Sequence, residues 1–428
     1  MARAIVALSF ACLACASPRA RRDEPPALLL TGAKVLDERG ERWIEGADVL
    51  LAQGRIARVG AAGSIAVPEG GRQLDLAGLY LLPGLIDLHS HLLLHPYDET
   101  TWDEQVLRES LEARTIRATV AARTTLASGF TTLRDLGTEG AGCADVALRD
   151  AIEAGVIPGP RIVATTRAIV ATGCYAIGAG YDARWTLPKG ADEATGADEV
   201  RRVVRAQVAA GADWIKVYAD YRRAPGDPAT PTFSQAELDA LVDEARSAGK
   251  PVAAHATTDE GIRRAVQAGV ATIEHGYGAS AETLASMREK GVALCPTLAA
   301  ADAVARYAGW DGQAPDPAGV AQAKAMFARA LASGVTIACG SDVGVFPHGD
   351  SARELELMVA YGMKPADALR AATATAAATL GREKDLGRIS PGFVADLVCV
   401  REDPLQGMAH LRGPVLVLKE GRVVADRR

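Results

Sequence analysis

No run of lysine or arginine in this 428-residue chain exceeds a few residues, and the formal net charge is -6. The chain therefore offers no basic face, and nucleic acid is not expected as a partner. Seven cysteines are present, of which Cys143, Cys174, Cys295, Cys339 and Cys399 lie beyond residue 16. Odd in number and without paired spacing, these five make no disulfide framework. After residue 16 no apolar run is long enough to span a bilayer, so no transmembrane segment is expected in the mature chain. A glycine-rich dinucleotide turn after an early strand is also missing, which argues against a doubly wound open sheet. What remains is the even mix of apolar, charged and glycine residues of a globular protein with one large domain and a smaller one.

The N-terminus reads as separate from the fold. Arg3 precedes an apolar run over residues 4–14, and Ala14-Cys15-Ala16 has the small-x-small form of a signal-peptidase site. Residues 1–16 are expected to be a signal peptide and the protein to be exported, periplasmic or secreted. Lipidation of Cys15, or a buried N-terminal helix, are the alternatives.

From residue 27 the text runs in short strands closed by glycines, "ALLLTGAKVLDERG", "DVLLAQGRIARVG" and "RQLDLAGLYLLPG", and the C-terminal "GRISPGFVADLVCV" and "VLVLKEGRVV" have the same character. Residues 27–80 with 385–428 are expected to form a small composite β-sandwich domain built from both termini. Residues 81–384 alternate short β-branched runs with amphipathic helices that carry clear starts and stops. In "SQAELDALVDEARSAG", Ser234 and Glu237 form a capping box and Gly249 ends the helix; a second box is expected at Thr257 and Glu260. Eight such units can be counted, with strands ending near His89, Arg134, Thr166, Tyr218, His255, His275, Thr297 and Asp342. The fold class is α/β, a (β/α)8 TIM barrel, whose catalytic residues belong at the strand C-terminal ends.

In "LIDLHSHLLLHP" the pair His89 and His91 occupies positions i and i+2 of a strand, so both side chains face one way and can chelate one cation. Histidines satisfied by backbone partners are the alternative. His255, His275 and Asp342 fall at other strand ends. Lys216 interrupts the apolar "WIKVYA", where a lone charge is expensive unless neutralised or bound. A neutral lysine can add carbon dioxide to become a carbamate, an anion able to bridge two metals about 3.5–4 Å apart. A plain ion pair to a neighbouring acid is the other reading.

Together with "GFTTLRDLG", "GADWIKVYAD", "PVAAHA", "TIEHG", "GSDVGVFPHGD" and "PGFVADLV", these residues make the chain similar to the amidohydrolase superfamily over residues 27–424. Within it the chain resembles imidazolonepropionase-like and Xaa-Pro dipeptidase-type metal-dependent hydrolases, and bacterial ochratoxin-degrading amidohydrolases above all. The resemblance implies two divalent ions, zinc in the first place. His89, His91 and Asp342 would hold the more buried one and His255 and His275 the other, with carboxylated Lys216 as bridge. Asp342 would shuttle the proton from water to the leaving amine. Imidazolonepropionase itself is expected to use one metal and no bridging lysine, so Lys216 speaks against that label.

The implied reaction is hydrolysis of the C-terminal amide of a dipeptide or N-acyl amino acid, ochratoxin A to phenylalanine and ochratoxin alpha being one such case. A cyclic amide or lactone hydrolase, and a catalytically silent exported metal-binding barrel, are the alternatives. Arg134, Tyr218, His348 and His95 are the expected substrate contacts, with Arg134 the first choice for a substrate carboxylate unless Asp135 holds it. Trp102, Tyr175, Tyr181, Trp185 and Tyr221 are candidates for an apolar acyl pocket, and Cys295 and Cys339 for barrel packing. The partner is a small-molecule or dipeptide substrate, and a homo-oligomer stays open.

Overall fold

A computed structural model describes residues 25–175, 181–182, 184–224, 226–313 and 315–428. The expected signal peptide, with Cys15, lies outside them. Among the described residues no helix is long and apolar enough to cross a membrane.

The two ends of the chain share one eight-stranded sheet. Strands Leu28–Leu36, Trp43–Ala52, Arg55–Gly60, Arg72–Asp75 and Tyr80–Pro83 come from the N-terminal part, and Leu397–Val400, Leu416–Lys419 and Arg422–Asp426 from the C-terminal part. The seam between them is the antiparallel pair of Tyr80–Pro83 with Leu397–Val400. Leu30, Val35, Val49, Leu81, Leu397 and Leu416 pack into one buried cluster at this sheet, which removes their apolar surface from water and holds two segments more than 300 positions apart in one unit.

Between the ends, parallel strands alternate with helices. Leu85–Ser90, Phe130–Asp135 and Arg161–Ala164 form one parallel group. Ile169–Ala171, Asp192–Ala194, Ile215–Tyr218, Val252–Ala256, Thr272–His275 and Ala293–Cys295 form another. Backbone hydrogen bonds lead from group to group: Asp213 and Trp214 donate to Ala164 O, Leu294 to Thr336 O, and Leu88 to Cys339 O. Near Asp342 the expected eighth strand is reduced to isolated bridges, Leu294 with Ile337 and Ser90 with Val343. The reason is local. Ser341 gives its N–H, at 3.0 Å, to the buried Asp87 carboxylate instead of to a neighbouring strand.

Helix punctuation follows the sequence with one exception. The Ser234 and Glu237 capping box is formed. The second N-cap moves from Thr257 to Thr258, whose hydroxyl accepts from Gly261 N. The Asp220 carboxylate accepts from the N–H and hydroxyl of Thr257 and of Thr258 alike, and it is the Thr258 oxygen that also reaches Gly261 N.

Candidate metal centre and its cavity

Strand parity and register bring the expected donors to one place. His89 closes in from strand Leu85–Ser90 with His91 just beyond it, while His255 and His275 end neighbouring strands whose register pairs Ala256 with His275. Asp342 arrives on the irregular eighth segment, anchored by its N–H to His89 O at 2.7 Å. The Asp342 Oδ1 atom stands 3.2 Å from His91 Nε2 and 3.5 Å from His89 Nε2. The two Nε2 atoms are 3.3 Å apart. Donor atoms of His89, His275 and Asp342 all fall within 4.8 Å of one another.

Each of three histidines has its far ring nitrogen tied down. His89 Nδ1 meets Glu274 Oε2 at 2.9 Å, His91 Nδ1 meets Gly137 O at 2.8 Å, and His275 Nδ1 meets Thr297 Oγ1 at 2.7 Å. Such partners set ring orientation and leave Nε2 lone pairs directed at a common point, the arrangement that metal-binding histidines need. His255 is held differently, stacked on Tyr218 with centroids 4.3 Å apart and planes at 14°.

The electrostatics agree for His89, His255 and His275, and differ at His91, which is protonated against Asp342. Burial, the Lys216 charge and neighbouring histidines hold His89 well below the usual range, and burial with His275 does the same for His255. Burial brings His275 down to about 4. Burial also opposes charge on His91, but Asp342 outweighs it and raises the ring to about 9. Asp342 stays well below the usual carboxylate range despite its burial, because His89 and His91 face it. Lys216 is fully enclosed; burial pushes it down to about 8, and its Nζ has no hydrogen-bond partner. An unsatisfied buried amine beside converging nitrogen and carboxylate donors fits a divalent cation site that completes the lysine's environment.

Backbone strain concentrates here as well. Glu139, Tyr175, His275, Thr297 and Asp342 all adopt positive φ, between 49° and 69°. For residues other than glycine each costs about 1–3 kcal/mol and persists only where the surroundings enforce it. Gly340 is required for a related reason, since a Cβ there would stand 3.0 Å from His89 Cβ and 2.9 Å from Cys295 Cβ.

The donors open onto a cavity of about 630 Å³. Tyr218 lines it, with Tyr175 and Tyr221 from the expected aromatic set, and helices Leu298–Tyr307 and Ala318–Ser333 add an apolar wall through Ala301, Val304 and Val320. Trp102 packs behind Tyr175, with ring centroids 4.8 Å apart, whereas Tyr181 and Trp185 are exposed and do not line this cavity. Cys295 and Cys339 are buried free thiols.

Three expected substrate contacts are corrected. Arg134 is fully buried and bonds Leu88 O at 2.7 Å, Thr272 Oγ1 at 3.2 Å and Glu274 Oε1 at 2.8 Å. Its side chain points into the interior, away from the cavity, and its acid is Glu274 instead of the adjacent Asp135, which faces the other side of the strand and accepts from Leu92 N. His348 is turned toward Leu94 O at 2.9 Å, and burial brings it down to about 4. His95 is held between Glu109, at 2.8 Å, and Glu99, at 3.3 Å. Neither histidine lines the cavity.

Residues that sequence reading missed take their place. Arg222 and Glu139 line the cavity, joined by Tyr97 and Tyr277, and Glu274 stands behind His89. The signal for Glu139 was present in "GTEG", a lone acid in a glycine turn after a strand end, and Arg222 lies in "YADYRR". Both resemble ordinary loop charges; the fold buries Glu139 and leaves Arg222 exposed at the cavity wall.

The Amidohydrolase family model matches residues 80–424. Ochratoxinase of Aspergillus niger is 33% identical over 368 residues, spanning 79% of this chain and 73% of that one. A solved Xaa-Pro dipeptidase with methionine bound in its active site shares the fold at a TM-score of 0.82 and 32% identity, over 93% of this chain and 99% of that one. A prolidase complexed with N-methylphosphonate-L-proline does so at 0.80 and 29%, over 94% and 100%.

Proposed function

This chain belongs to the amidohydrolase family, a hydrolase of amide bonds, and from that premise we propose a binuclear zinc enzyme that cleaves the C-terminal amide of dipeptides or N-acyl amino acids. The catalytic unit is a (β/α)8 barrel over residues 81–384, the composite domain of residues 27–80 and 385–428 is its support, and residues 1–16 direct export. Ochratoxin A, an aromatic acyl group on phenylalanine, has the bond this enzyme would cut.

One observation carries the reading: a single cavity joins the histidine and aspartate cluster to a guanidinium, Arg222. His89, His91 and Asp342 would hold one zinc ion and His255 and His275 the other. Lys216, which burial brings down to about 8, keeps a neutral fraction at physiological pH that is suited to add carbon dioxide: its lone pair would form the N–C bond, one proton would leave, and the carbamate would supply two oxygen donors. Bound zinc supplies Lewis acidity at the scissile carbonyl. Asp342, ionised over the working pH range, takes the proton released by the attacking water and returns one to the leaving nitrogen. Tyr218 presents its ring and phenol to the cavity and aligns the substrate beside His255. Arg222 reads the substrate carboxylate through a charge-assisted hydrogen bond, the role the sequence assigned to Arg134.

The test is kinetic, on N-acetylphenylalanine and its methyl ester. Arg222→Met should lower kcat/KM for the acid by roughly tenfold to a few hundredfold, about 1.5–3 kcal/mol, and leave the ester nearly unchanged. Equal losses on both would refute carboxylate recognition.

A further inference from the structure

Glu139 lies in the turn after strand Phe130–Asp135, in a left-handed conformation with φ of 49°. Its backbone is clamped from behind: Arg114 donates to Glu139 O at 2.7 Å and to Thr138 O and Leu93 O. On the side chain, Oε2 accepts from the Tyr175 hydroxyl at 2.6 Å and from Trp102 Nε1 at 2.9 Å. These two donors aim the carboxylate into the cavity, where only 2% of the residue is exposed. The other oxygen, Oε1, has no hydrogen-bond donor among the described residues. His91 Nδ1 is 3.9 Å away and is engaged with Gly137 O.

A buried carboxylate with a vacant oxygen calls for a cationic guest. Tyr175 packs against Tyr218 and Tyr221 with ring centroids 4.8 and 5.0 Å away, and Tyr218 and Tyr221 are 5.6 Å apart. The three rings pack on one another, Tyr218 is stacked on His255 and Arg222 lies over Tyr221, so the tyrosines brace the carboxylate and the charge that would hold an ammonium group comes from Glu139. Resting on the amide-hydrolase reading above, we propose that Glu139 binds the free α-ammonium group of the substrate. The substrate class is then the unblocked dipeptide, with N-acyl amino acids as poorer substrates. With Arg222 for the carboxylate, the cavity is complementary to a zwitterion.

The zinc-loaded wild type is assayed on alanyl-phenylalanine, propionyl-phenylalanine and succinyl-phenylalanine. The first two differ only by the ammonium group, and the third carries a carboxylate in the acyl part. The expected order of kcat/KM is alanyl, propionyl, succinyl, with the first two separated by roughly ten- to a hundredfold, the range of a charge-assisted contact. Glu139→Gln, with an unchanged far-ultraviolet spectrum as the control for folding, should bring that ratio within about threefold through loss on alanyl-phenylalanine alone. Equal losses on both substrates would show that Glu139 acts through His91 or Tyr175 and would overturn the proposal. So would a wild type that cleaves propionyl-phenylalanine as well as alanyl-phenylalanine, while the amidase reading survives. If neither is cleaved the amidase reading fails by itself. Calorimetric binding of the same pair to metal-stripped enzyme then decides, and equal affinities would refute the ammonium site.

Discussion

Arg134→Met separates a substrate anchor from a structural cation. The guanidinium and the Glu274 carboxylate meet at 2.8 Å with both side chains completely shielded from solvent. The substitution removes the bonds to Leu88 O and Thr272 Oγ1 as well, and leaves the Glu274 carboxylate in a dry interior with Thr272, His89 and the Cys295 thiol beside it and no counter-charge from Arg134. Removing one member of a buried pair costs about 3–5 kcal/mol, because the survivor keeps its desolvation penalty without its counter-charge. The urea midpoint of unfolding should fall accordingly at constant m. The double variant Arg134→Met/Glu274→Gln should recover part of that loss, since it removes the orphaned charge, and the coupling in the cycle should exceed about 1 kcal/mol. Glu274 also orients His89, so turnover should fall, by the same factor on N-acetylphenylalanine and on its methyl ester. A variant destabilised by less than about 1 kcal/mol that loses activity on the acid alone would refute this reasoning and restore Arg134 as the anchor.

Lys216→Ala should reduce bound zinc from near two ions per chain and abolish turnover, with short carboxylic acids restoring part of both; elemental analysis and kinetics check it, and a fully active Lys216→Arg would rule out the carbamate. Acid should destabilise the protein through His348. Its folded value of about 4 lies below the unfolded value of about 6.5, so the unfolded chain binds more protons between those limits and stability falls as pH falls from 6.5 to 4. His348→Gln, compared by urea unfolding across that window, should flatten the decline, and identical slopes would contradict the assignment.

The elements legible from sequence were those set by local periodicity. Alternating parallel strands and helices follow from apolar spacing and from caps such as Ser234 with Glu237, and strand parity alone puts His89 and His91 on one side. Lys216 stood out because an apolar strand cannot hold an unpartnered charge without a reason. The caps show the limit of local rules: Thr257 has the sequence of an N-cap, but the Asp220 carboxylate, 37 positions away, holds Thr257 and Thr258 together and the cap falls on Thr258.

By itself, then, the sequence determined which residues lie at strand ends and which of them have metal-ligand chemistry, since both depend on neighbours a few positions apart. Only the tertiary structure decided which polar side chains face the cavity and which face the interior. Arg134 has Asp135 beside it in the chain but pairs with Glu274, 140 positions on, because successive strand residues point to opposite sides and the partner comes from another strand. His95 and His348 sit in the loops on the expected side, yet Glu109 and Leu94 O turn both away from the cavity. Glu139 and Arg222 read as common loop charges; burial and the company of Tyr175 and Trp102 make Glu139 distinctive, and a place on the cavity wall does so for the exposed Arg222. Burial and company arise from contacts between distant segments, where the strength of a charge is set by the solvent that folding removes.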